Sequence, residues 1–75
     1  MINLERNEDA LYKIAAKLRL LRRKAELKQI TVTKDTGLNI GNIEAAKKNI
    51  NITSLELLCR YYGVTLDEFF DDMDL

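Results

Sequence analysis

The chain has no histidine, one cysteine and three glycines in 75 residues, and no apolar run longer than a few residues. Each scarcity excludes something. A single thiol, Cys59, cannot form an internal disulfide, and without histidine neither a multi-cysteine zinc site nor any other protein metal site is expected. No histidine, a cysteine on the apolar stripe of a helix and no Gly-rich phosphate loop after a strand leave no nucleophile–base pair, so the chain reads as no enzyme and as needing no cofactor. The short apolar runs give neither a transmembrane helix nor a secretory leader, so the expected location is cytoplasmic, away from membranes. The acidic stretch DEFFDDMDL lacks the D-x-D-x-D-G spacing of a calcium loop and reads as a negative helix end and tail.

What is present suits one small globule. Hydrophobic residues make up 47% of the chain, enough for a core near the lower size limit of a self-sufficient domain. A single domain over 1–75, with its core at about 8–72, is expected. The formal net charge is zero, but it is unevenly spread. Ten Lys/Arg and only three acids lie between Lys13 and Lys48, while residues 1–12 and 49–75 are both net acidic. A basic middle between acidic ends suits either a solvated helix face or a nucleic-acid footprint.

Periodicity gives five helices. Leu11, Ile14, Leu18, Leu21 and Ala25 recur every three or four residues, an apolar stripe on a helix over about 8–25 with Asn7 as N-cap. Ile30, Thr31, Val32 and Thr33 are β-branched and would suit a strand, but no second alternating run could pair with it. A short helix over about 29–36, stopped by Gly37, is the consistent alternative. Asn39 can cap a further helix carrying Ile40, Ile43 and Ala46 to about Lys47 or Lys48. Asn51 caps the next, with Ile52, Leu55, Leu58, Cys59 and Tyr62 as its buried stripe and Gly63 as its end. Thr65 and Glu68 have the spacing of a capping box that opens a last helix with Leu66, Phe69 and Phe70. The fold class is all-α, a compact five-helix bundle.

A short helix, a glycine turn and a second short helix, with TGLNIGNIE at the join, is the local plan of a helix-turn-helix. On a wheel over 39–48, Ile40 and Ile43 point inward, whereas Gly41, Asn42, Ala45 and Lys48 point outward. Gly costs about 1 kcal/mol relative to Ala inside a helix. Small outward residues let a helix axis approach base edges, and an Asn amide can bond adenine at two points. Alternatively, Gly41 lets the helix pack tightly on a neighbour.

LRRKAELKQ, TGLNIGNIE, KKNI and TSLELLCRYYGVTLDEFF together resemble the lambda-repressor-like helix-turn-helix family of the Xre and Cro type, over about residues 11–70. The resemblance implies a sequence-specific double-stranded DNA-binding transcriptional regulator, most simply a repressor, with a major-groove recognition helix near 39–48. It implies that Gln29 bonds a phosphate and steadies the next helix, and that Asn39, Gly41, Asn42 and Ala45 lie where the recognition helix meets bases. Lys47, Lys48 and Asn49 match the basic backbone-holding segment, and Lys28 and Lys34 flank the motif as phosphate partners or as ordinary surface lysines. Glu44 can accept from a cytosine amine or pair with Lys48.

The chain departs from the family pattern in four places. About three residues are missing between Thr36-Gly37 and Ser54-Leu55, so either the recognition helix or the loop after it is shorter. Glu26 stands where a turn glycine is common, Thr33 where a small alanine packs the two helices, and Ile50 where a proline is common.

A competing expectation is a protein-binding module, of the antitoxin or anti-repressor kind, built on the same bundle. A homodimer is also expected, through the C-terminal helix and tail, where Phe69, Phe70, Met73 and Leu75 exceed what one small helix needs for docking. No small-molecule effector is evident.

Overall fold

The computed structural model describes residues 7–74. Five helices follow in order: α1 (Glu8–Lys24), α2 (Gln29–Thr36), α3 (Ile40–Glu44), α4 (Ile52–Tyr61) and α5 (Leu66–Phe70). No strand occurs among the described residues, and no helix there is long and apolar enough to cross a membrane.

Side chains close the helix starts as the sequence suggests. The Asn7, Asn39 and Asn51 amide oxygens accept from the backbone N–H of Ala10, Asn42 and Ser54. Thr65 and Glu68 exchange both bonds of a capping box. Each satisfies a backbone donor that a free helix end leaves open.

The β-branched run of α2 is helical because Val32 fills the core and the threonine hydroxyls bond locally. Thr36 Oγ1 donates to the Val32 carbonyl at 2.7 Å and accepts from Leu38 N–H at 3.2 Å. Thr33 Oγ1 accepts from Ile40 N–H at 3.3 Å, joining the end of α2 to the start of α3. Gly37 then turns the chain at φ +76°.

Three helices end in the same two-bond turn. After α1, Glu26 N–H bonds Arg23 O and Leu27 N–H bonds Arg22 O. Ala46 and Lys47 repeat the pattern after α3, and Gly63 and Val64 after α4. This turn needs a left-handed residue at its first outside position. Gly63 meets that need freely, but Glu26 and Ala46 adopt φ +59° and +57°.

α3 therefore ends at Glu44, a turn earlier than the periodicity predicts. The turn at Ala46 carries the chain back so that Ala46 is buried with Leu11 and Ala15, and Ile50 packs beside them. Burial of these apolar groups offsets the conformational cost at Ala46.

The main core joins Leu18, Val32, Ile40, Leu55, Leu58, Cys59 and Phe69. Two residues of the expected stripes fall outside both clusters: Ala25 is exposed, and Ile52 is 63% exposed at the start of α4. Tyr61 Oη donates to Asp35 at 2.5 Å, tying α4 to α2. After α5 the tail lies along α1, where Lys17 bonds both carboxylate oxygens of Asp72 and Lys13 donates to the Asp74 carbonyl.

Candidate nucleic-acid interface

α3 is five residues long, too short to be helical by itself. One side chain ties down its end. Glu44 is 3% exposed, the only buried charged residue among those described. Its Oε2 accepts from Arg22 Nε at 2.8 Å and its Oε1 from Arg22 Nη2 at 2.9 Å, a two-point guanidinium–carboxylate pair. Oε1 also accepts from Gln29 Nε2 at 3.0 Å. Arg19 Nη2 bonds the Glu44 carbonyl at 3.0 Å, and Arg22 Nη1 bonds the Leu27 carbonyl at 2.9 Å. One carboxylate thus ties α3 to both α1 and α2.

The pairing of Glu44 with Lys48 expected from i,i+4 spacing does not form. The helix has ended, and the carboxylate is directed inward to Arg22. A base-reading role for Glu44 is likewise closed by burial. Arg22 is held protonated above its ordinary range, first by its bond to Glu44. Tyr62, next to this pair, is pushed up to about 12, chiefly by burial and then by the Glu44 charge.

Outside this anchor, α3 and the loop after it form a cleft of about 210 Å³. Asn39, Asn42, Lys48 and Asn49, all singled out by the sequence, line it together. Asn51 and Ser54 line it as well, two residues the sequence reading used only as a cap and as a motif position. The early end of α3 is what brings them there, because the loop folds back beside the helix.

The other expected residues are placed differently. Ala45 is the exposed C-cap of α3, its N–H still bonded to the Gly41 carbonyl, whereas Lys47 and Lys48 follow in the loop beyond the helix. Lys28 precedes α2 and Lys34 lies in its last turn, both exposed. Among the described residues, no ion pair engages Lys28, Lys34 or Lys48. Four other cations of the basic block are committed inside the molecule: Lys13 and Lys17 to Asp9, Asp72 and the tail, and Arg19 and Arg22 to Glu44.

The asparagines differ in what they can still bond. Asn39 and Asn51 each engage the amide oxygen in a helix cap and keep the NH2 group uncommitted. The Asn42 side chain bonds no described residue and keeps both its donor and its acceptor. A Cβ added at Gly41 would meet only Asn39 Oδ1 and Gln29 Oε1, each at 3.6 Å, which is ordinary contact. Packing inside the protein therefore does not require a glycine at this position.

Compared with family models, with curated proteins and with solved structures, the chain matches none.

Proposed function

We propose that the protein binds double-stranded DNA at a specific sequence and regulates transcription, with α2 and α3 acting as a helix-turn-helix and α3 entering the major groove. The observation that carries this reading is the cleft beside α3. It joins Asn42, whose amide keeps both its donor and its acceptor, to Lys48, a cation with no carboxylate partner, on an element locked in place by a buried ion pair. In this reading Asn42 reads a base edge, adenine being the base whose N6 and N7 match an Asn amide. Asn39 and Asn51, each with its oxygen already accepting a cap bond, offer their NH2 groups, which suits phosphate or acceptor atoms of bases. Gly41 keeps the helix axis close to the groove floor. Lys28, Lys34, Lys47, Lys48 and Asn49 hold the sugar-phosphate backbone on either side. Gln29 has one amide hydrogen beyond the one given to Glu44 and can donate it to a phosphate.

Selection from a random duplex library followed by salt titration tests the reading. A recovered consensus is expected, and log K should fall with log salt with a slope of about −4, the four backbone-holding lysines each releasing roughly one counterion. Failure to enrich any duplex, or an affinity indifferent to salt, refutes it and favours a protein-binding role for the bundle.

A further inference from the structure

The outer face of α1 carries Tyr12, Ala16 and Leu20, one every four residues. All three are exposed, Tyr12 at 59% and Leu20 at 45%. At about 100° per residue, Asp9 before them and Arg23 after them fall on the same side. A helix on a small bundle ordinarily gives this face to polar groups. Here its centre is apolar, and Met73 of the tail borders it across a groove of about 380 Å³ that Lys13, Lys17, Asp72 and Asp74 line together with Ala16 and Leu20.

We propose that this face docks a second copy of the chain, α1 against α1 in antiparallel array, about a two-fold axis passing beside Ala16. The order of charge along the helix carries the argument. Glu8 and Asp9 open α1, and Arg22, Arg23 and Lys24 close it. Antiparallel pairing sets the acidic start of each copy against the basic end of the other, and it opposes the two helix dipoles. A two-fold at position 16 brings 12 beside 20 and 9 beside 23. Tyr12 then packs on Leu20 of the second copy, and Asp9 faces its Arg23. The Ala16 methyl is small enough for the helices to approach closely where they cross. Parallel pairing would instead set Asp9 on Asp9 and Arg23 on Arg23. An isologous contact of this kind closes at two copies and leaves no open end.

This surface replaces the one expected on α5. Phe69 is 0% exposed at the centre of the core, Phe70 packs edge-on against it, and Leu75 lies outside the described residues. The pairing does not depend on the DNA-binding proposal and is measured without DNA.

Sedimentation equilibrium of the full chain over a wide concentration range tests it. A reversible dimer is expected, and Leu20→Glu should weaken it roughly a hundredfold, because two buried leucines are lost. Circular dichroism of that variant should match the parent, since Leu20 is not in the core. Asp9→Arg and Arg23→Asp should each weaken the dimer by about fivefold, and the double substitution should restore it. A chain that stays monomeric into the millimolar range overturns the proposal. So does a dimer indifferent to Leu20→Glu, or a double charge swap no tighter than the single ones.

Discussion

Arg22 and Glu44, twenty-two residues apart, share two hydrogen bonds of 2.8 and 2.9 Å across the junction of α1 and α3. The carboxylate is almost wholly out of water, while the guanidinium side chain keeps 12% of its surface exposed. A buried ion pair of this kind adds little over a well-packed apolar pair, but losing one partner strands the other. Its value here is positional: it fixes where a five-residue helix sits.

Glu44→Ala should therefore destabilise the domain by about 3–5 kcal/mol, because Arg22 and Gln29 lose their acceptor together. A domain of this size has a total stability of roughly 4–11 kcal/mol, so the variant should be partly unfolded at moderate temperature. Arg22→Lys should also be destabilising, since an ammonium cannot match both carboxylate oxygens. Urea denaturation checks both, and a Glu44→Ala midpoint close to the parent's would show that the pair is not an anchor.

Specificity should separate two neighbours in the cleft. Asn42→Ala should cost about 1–3 kcal/mol on the selected site and far less on random duplex, while Lys48→Ala should weaken both alike and lower the salt slope by about 1. Fluorescence anisotropy on the two duplexes is sufficient. Equal losses for Asn42→Ala would make that side chain a backbone contact.

Glycine and its absence give opposite predictions at two positions. Gly41 has ordinary helical backbone and room for a methyl, so Gly41→Ala should stabilise the protein by about 0.5–1 kcal/mol while weakening DNA binding. Glu26 is held at φ +59°, so Glu26→Gly should be stabilising by about 1 kcal/mol, with DNA affinity unchanged. Ala46 shares that backbone, but its methyl is buried in the second cluster, and Ala46→Gly should gain less or lose. Thermal melts paired with binding assays measure each. A Gly41→Ala protein that binds DNA as well as the parent would remove the close-approach argument.

Tyr62 should make the alkaline limb of stability visible. Its folded pKa, about 12, exceeds the ordinary value of 10.0, so the folded state holds the phenolic proton more tightly than the unfolded chain does. Stability present below pH 10 is thus lost progressively as the pH rises through 12. Tyr62→Phe should flatten that part of the profile. Denaturant midpoints between pH 9 and 12 give the comparison, and parallel slopes in the two proteins would place the alkaline loss on other groups.

Local signals in the sequence determined the element list. Periodic leucines marked α1, three asparagines and one threonine marked helix starts, and Gly37 and Gly63 marked two ends, because capping and helical repeat are short-range physics. The end of α3 was not legible. Nothing within IGNIEAAKKN stops a helix, and the stop comes from Ala46 and Ile50 finding Leu11 and Ala15 some thirty residues back in the chain. Glu44 was misread for the same reason. At i,i+4 spacing Lys48 looked like its partner, yet Arg22 was reachable only once α1 and α3 had packed. The basic block was legible as a count, but tertiary contacts decided which cations remain outward, because the tail and Glu44 take four of them. Phe69 likewise looked like surplus surface until the bundle closed around it. Sequence alone thus set which helices form and where they start. Packing between residues distant in the chain decided where α3 stops, which charges are spent, and which face of the molecule is left to bind.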